Sequence, residues 1–315
     1  MTSCVLTDAR EDLSPCDTPS RICLLNLSVG LVEDVRSTRP SRTRLEGFSP
    51  EFQLAFPYRG FFVWSVGRDE VVGDANQALF VTGGEGYRMD HPVAGGYAEL
   101  IVTLSPSLIC ELAGTRECTL RNHPLFRRRS CRVSCAVQRL RARFLSWAGA
   151  ASAIDDLVAE ELVLTLVRSV LDNDTHVELP ARSTQRLIQR TKAFLEAELA
   201  RPIHLAEIGR AVGASPVYLT QVFRAFEGVA LHQYLTQLRL ARALAELPHA
   251  PDLTRLALDV GFSSHSHFSA TFRRAFGTTP SAFRDSSCRH LRPCPDEFSA
   301  HGSAEPIHAR LNGTR

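Results

Sequence analysis

The side chains best suited to chemistry lie in two stretches: Val217, Thr220, Gln221 and Arg224 in one, and His265, Ser266, Ser269, Ala270 and Arg273 in the other. The primary amide of Gln221 donates and accepts at once, which fits the edge of an adenine in a major groove. Arg224 and Arg273 sit a turn or more past the start of their segments, where a guanidinium meets phosphate oxygens more readily than base edges. His265 suits a base edge, and a phosphate or solvent contact equally. Val217 and Ala270 offer only apolar contact, for example to a thymine methyl.

The elements that must position these side chains repeat. Leu205, Ile208, Val212 and Gly213 recur as Leu253, Leu256, Val260 and Gly261 at an offset of 48, and Leu219, Phe223 and Gly228 recur as Phe268, Phe272 and Gly277 at an offset of 49. The extra residue falls after the glycine, where a turn absorbs it. Within each block, apolar residues three and four apart predict a short helix with one buried face. A glycine then ends it by taking positive φ. Ser215 and Ser264 follow as helix caps, Pro216 fits a first turn, and a second helix begins. This is the grammar of a helix-turn-helix, whose second helix lies in a major groove. A helical hairpin in an all-α core explains one block as well. Two matched blocks joined by the amphipathic stretch Val229–Leu247 point to DNA, and two units are too few for a solenoid.

Charge agrees with that division. Residues 183–287 carry 12 Lys+Arg against 8 Asp+Glu, whereas residues 1–182 carry 20 against 23. A basic half beside a slightly acidic one is the distribution that phosphate contact by one half requires. Lys192 is the only lysine, and no function is drawn from it. The length of 315 residues predicts two domains, and the 44% hydrophobic content fits an ordinary globular protein. No apolar run is long enough for a membrane span, and the acidic N-terminus lacks the pattern of a signal peptide, so a cytoplasmic protein is expected. The nine cysteines are an odd number and argue against a disulfide framework.

The expected organisation is α+β in two domains: residues 1–20 a disordered N-terminus, 21–171 a β-rich cupin-like or jelly-roll domain with helices, 172–182 a linker, 183–287 an all-α domain of two helix-turn-helix units, and 288–315 a flexible tail. Ile22–Val32 reads as one or two strands, and Phe61–Val66, Gln77–Thr82 and Ala98–Leu104 read as further strands between turn-forming residues. Glu85, Tyr87, Arg88 and His91, in the glycine-rich segment Gly83–Pro92, form a candidate effector-facing set. A solvated turn accounts for them too, and one His with one Glu is too few for a metal site. Arg121–Phe144 carries eight arginines; their interleaving with Leu125, Phe126, Val133, Val137 and Leu140 predicts the polar face of an amphipathic helix. On that helix Cys131 and Cys135 would share a face with Cys118 and His123, as small buried hydrophobes or as a metal or redox site. Ile154–Leu171 predicts a long helix.

The paired motifs, the joining helix and above all Gly261–Arg284 (GFSSHSHFSATFRRAFGTTPSAFR) resemble the AraC/XylS family of bacterial transcription regulators. The resemblance covers about residues 185–287. It implies a seven-helix domain with two recognition helices in successive major-groove segments, so that the residues named at the outset face double-stranded DNA. It also implies RNA polymerase as a partner, a small-molecule effector, and a homodimer. Residues 22–170 resemble more weakly the cupin-like sensor half of many members. A metal-binding histidine pair is not evident, and no cofactor is expected. The resemblance implies an effector-controlled activator rather than an enzyme. Two alternatives stay open: a cupin-type enzyme fused to a DNA-binding domain, and an N-terminal half that only dimerises.

Overall fold

Short apolar runs between turn-forming residues from Ser20 onward build two antiparallel sheets. The computed structural model describes residues 19–38, 44–112, 114, 129–147, 155–172 and 182–289. Its strands are β1 (Ser20–Leu27), β2 (Gly30–Ser37), β3 (Arg44–Ser49), β4 (Phe52–Arg59), β5 (Phe62–Val66), β6 (Asp69–Gly73), β7 (Gln77–Val81), β8 (Glu85–Asp90), β9 (Tyr97–Leu104) and β10 (Ser130–Arg132). One sheet has the order β1-β2-β9-β4-β7-β10 and the other β3-β8-β5-β6. Val35, Ala55, Leu79 and Ile101 of the first meet Phe62, Trp64 and Met89 of the second in an apolar layer between the sheets.

The far face of the six-stranded sheet is covered by helices. These are α1 (Pro106–Leu112), α2 (Cys135–Trp147) and α3 (Asp156–Leu171). Asp155 caps α3 by accepting from the Leu157 amide at 2.9 Å. Ala159, Val163, Leu166, Val167 and Val170 follow at helical spacing, and all are buried against Phe56, Phe80, Leu100 and Val102 of the sheet. Strand β9 is buried along its whole length, which explains why its sequence, YAELIVTL, does not alternate.

Three expectations are corrected. Arg121–Phe144 is not one helix. Residues 121–128 lie outside the described residues, Ser130–Arg132 pairs antiparallel with Gln77–Leu79, and the helix starts only at Cys135. Pairing with a strand distant in sequence outweighs the helical period there. Cys131 and Cys135 therefore share no helix face. Cys131 is buried on a strand with its thiol 3.8 Å from the Val170 carbonyl, and Cys118 and His123 lie outside the described residues. The arginines do not all belong to a polar face either. Arg141 is 1% exposed, and its guanidinium donates to the carbonyls of Ala75 and Pro57. Of the other expected segments, residues 1–18, 173–181 and 290–315 lie outside the described residues, and Cys288 belongs to the last helix.

From Arg182 onward the chain is helical: α4 (Arg182–Ala197), α5 (Leu205–Val212), α6 (Pro216–Glu227), α7 (Leu231–Glu246), α8 (Leu253–Asp259), α9 (His265–Phe276) and α10 (Pro280–Arg289). α7 is shared by two cores. Leu231, Tyr234 and Leu238 pack with Ile208, Val212, Leu219 and Phe223. Leu240, Ala243 and Leu244 pack with Leu256, Val260, Phe268 and Phe272. Each core also takes in a buried residue from the β-rich half, Ala75 in the first and Ala142 in the second.

Two glycines make the turns within the two units. Gly213 has φ +72° and Gly261 φ +91°. A Cβ on Gly213 would meet nothing, whereas one on Gly261 would lie 2.5 Å from the Leu199 carbonyl oxygen and 2.7 Å from Arg239 Nε. Gly213→Ala is therefore expected to cost about 1–2 kcal/mol, the price of left-handed backbone alone. Gly261→Ala should cost clearly more, about 3 kcal/mol or above, because backbone must also move. Urea unfolding of both variants checks this; equal losses would show that the Gly261 turn is not held against Leu199.

Candidate nucleic-acid interface

Helix α6 is fixed at both ends by its own sequence. The Ser215 hydroxyl accepts from the Tyr218 amide at 3.3 Å, Pro216 opens the first turn, and Gly228 closes the helix with φ +70°. Leu219 and Phe223 are fully buried, so the turns between them face outward. α9 repeats the device: the Ser264 hydroxyl accepts from the His267 amide at 3.1 Å and Gly277 closes the helix at φ +75°. Its buried positions are Phe268, Phe272 and Phe276, which stack edge to face in sequence, with ring centroids 5.6 and 4.7 Å apart.

The outward faces can now be compared position by position. On α6, Val217, Gln221 and Arg224 are exposed and form one stripe; Thr220 is half-buried, with its hydroxyl donating back to the Val217 carbonyl at 2.9 Å. On α9, Ser266, Ala270 and Arg273 are exposed in the same stripe. His265 is exposed beside Ser269, which is half-buried, with 3.3 Å between the ring Nε2 and the hydroxyl. At an offset of 49, Val217 matches Ser266, Gln221 matches Ala270 and Arg224 matches Arg273. The two arginines are thus equivalent, while the other two positions differ in chemistry. An amide faces outward on one helix where the other has a methyl, so the two faces are built to meet different surroundings.

Sequence reasoning passed over three exposed side chains next to these stripes: Tyr218 on α6, and His267 and Arg274 on α9. Tyr218 is half exposed although its neighbours Leu219 and Val222 turn inward. Its matching residue is His267, which packs its ring against Phe262 with centroids 5.4 Å apart. The signal that would have found the pair is the offset itself, applied to every residue and not only to the apolar ones.

The candidate effector set does not converge. Glu85 lies on β8 and is paired with Arg129 at 2.7 Å. Arg88, on the same strand, is exposed, whereas Tyr87 turns inward toward the Trp64 ring, 6.0 Å away. His91 is buried and stacks on Tyr97 with ring centroids 4.8 Å apart. The segment is strand and not turn. Its alternation sends Arg88 to one face and Glu85, Tyr87 and Met89 to the other.

Residues 208–286 match the family of helix-turn-helix domains. Among curated proteins, the chain is similar to the transcriptional activator RhaR of Salmonella schwarzengrund and of Salmonella typhimurium. Each is 33% identical over 135 residues, covering 42% of this chain and 47% of the relative. The chain thus spans about half the length of the curated relatives it matches. A solved transcriptional regulator from Chromobacterium violaceum with an AraC-type DNA-binding domain is 29% identical over 35% of this chain and 98% of its own, with a TM-score of 0.32. ToxT from Vibrio cholerae is 11% identical over 82% of this chain and 98% of its own, with a TM-score of 0.34.

Between the sheets the structure brings together charged groups that the sequence pattern hid. Glu99 sits within the apolar run of β9, on the face shared with Tyr97 and Ile101, and is 6% exposed. Arg21 pairs with the neighbouring Glu33 at 2.6 Å. Burial pushes the Glu99 carboxyl from its ordinary 4.5 up to about 7, and the nearby Arg21 charge only partly offsets this. The folded protein therefore keeps a proton that the unfolded chain releases. The resulting loss of stability is absent below about pH 4.5 and complete above about pH 7, where it amounts to about 3 kcal/mol. Glu99→Gln should raise the unfolding midpoint at pH 8 and leave it nearly unchanged at pH 4.5. A midpoint shift of the same size at both pH values would contradict this.

Proposed function

We propose, from a C-terminal domain that belongs to the AraC/XylS family of helix-turn-helix regulators, that this chain is a sequence-specific DNA-binding transcription regulator. The observation that carries the reading is the pair of matched helix faces, Val217–Gln221–Arg224 and Ser266–Ala270–Arg273, each presented on a capped helix over its own apolar core. The proposed division of labour assigns residues 183–287 to DNA, and residues 21–171 to sensing and to contact with a second copy. The similarity to transcriptional activators such as RhaR supports activation over repression, with RNA polymerase the proposed partner. A small-molecule effector is proposed to act on the β-rich half, where the polar side chains Tyr87, His91, Tyr97 and Glu99 lie beside or within the apolar layer that joins the sheets.

Gln221 is proposed to read a base edge and Arg224 and Arg273 to hold phosphates. Gln221→Ala should then cost about 1–3 kcal/mol at one position of the site and relax the preference there. Arg224→Ala should weaken binding to all sequences alike and lower the salt slope by about one. Titration of the full chain against single-base variants of its site at several salt concentrations checks both. A uniform loss from Gln221→Ala together with a changed base preference from Arg224→Ala would exchange the two roles. No effect from either would move recognition to His265, Ser266 and Ser269.

A further inference from the structure

Both recognition helices end against the β-rich half of the chain, and at matching positions. The last residue of α6 is Glu227 and the last of α9 is Phe276, again 49 apart. The Glu227 carboxylate accepts from Gln77 Nε2 at 3.2 Å, with Gln77 at the start of β7. The Phe276 carbonyl accepts from Arg139 Nη1 at 2.9 Å, with Arg139 on α2. A helix C-terminus leaves its last carbonyls without intrahelical donors and carries partial negative charge, so a guanidinium there both satisfies and attracts.

We propose that Gln77 and Arg139 are positioning residues for DNA recognition: together they fix the separation and angle of the two recognition helices. The inference rests on the DNA-binding reading above. What makes the two contacts one device is that their bearers are stitched to each other. Gln138, next to Arg139, donates to the Ala75 carbonyl at 3.1 Å and to the Asn76 side chain at 2.9 Å, and Arg141 donates to the same Ala75 carbonyl at 3.2 Å. The turn before β7 and helix α2 therefore move as a unit. That unit reaches into both helix-turn-helix cores, through Ala75 in the first and Ala142 in the second. Without it, the two units are joined mainly by α7, with α8 and the turns following as levers. DNA offers major-groove segments at a fixed repeat, about 34–36 Å along one face. A device that sets the reach between two reading helices then sets which spacing of half-sites the protein accepts.

The test uses the full chain and a bipartite DNA site obtained by selection, together with copies in which the halves are moved apart by one or two base pairs. The wild type should prefer the selected spacing. Arg139→Ala removes an exposed side chain outside both cores and should lower the melting temperature by only a few degrees. It should reduce the preference between selected and shifted spacing by about tenfold, the scale of a lost hydrogen bond to a charged group. Arg139→Lys should recover part of the discrimination, because it returns a cation to the end of α9. Gln77→Leu should loosen spacing from the α6 side in the same way. If Arg139→Ala and Gln77→Leu lower affinity for every spacing in the same ratio, or leave all affinities unchanged, the contacts are only adhesive and the proposal fails. A wild type that shows no sequence-dependent binding at any spacing would instead remove the DNA-binding reading itself.

Discussion

A buried polar seam, built around an ion pair between two helices, fixes the register of the helical half on the Asp74–Gln77 turn. Lys192 on α4 meets Glu227 at the end of α6 at 2.6 Å, and each side chain is only 3% exposed. Around them the Tyr234 hydroxyl donates to Asp74 at 2.6 Å, and Asn76 donates to the Tyr234 carbonyl at 3.1 Å. The Lys192 ammonium lies 5.1 Å from the centroid of the Tyr234 ring. Burial pushes the Glu227 carboxyl upward and the Lys192 charge pulls it back; burial and the neighbouring Asp74 carboxylate push Tyr234 well above its ordinary range. Removing one member of such a pair leaves an uncompensated buried charge, which typically costs about 3–5 kcal/mol. An apolar seam would tolerate sliding. A polar seam of this kind is satisfied in one arrangement only, and it forces α4, α6 and α7 to meet the Asp74–Gln77 turn one way.

That seam explains why the only lysine of a chain with 36 basic residues stands at position 192. The ammonium is a compact charge that fits between a carboxylate and an aromatic face, where a planar guanidinium would need more room and more acceptors. The rest of the arrangement follows. With α7 held by Tyr234, its first half completes one helix-turn-helix core and its second half completes the other. The exposed stripes of α6 and α9 then project from two cores that share one axis. Leu219 and Phe223, or Phe268 and Phe272, decide which residues of each helix are left exposed.

The helical half was largely legible in the sequence because its determinants are local. Glycines, capping serines and apolar residues three or four apart lie within a few positions of what they control, so α5, α6, α8 and α9 and their outward faces follow from spacing. The β-rich half was legible only where strands are apolar, as in β5, β7 and β9. β3, β6 and β8 carry charges and glycines, and the partners of β3 and β8 lie far along the chain. The same remoteness hid Arg141, whose acceptors Pro57 and Ala75 are more than 60 residues away, and it hid the polar seam altogether. The candidate effector set failed to converge for a related reason. Three of the four polar residues stand on β8, which divides its neighbours between two faces, and His91 lies just past its end.

The central claim is that both helix-turn-helix units engage one DNA molecule together. Hydroxyl-radical footprinting of the full chain on a DNA fragment that it binds tests this most directly. Two protected segments are expected on one face of the duplex, about one helical turn or 10–10.5 base pairs apart. The Gln221→Ala variant should lose detail in one segment only. A single protected segment, or protection that ignores sequence and phase, would contradict it.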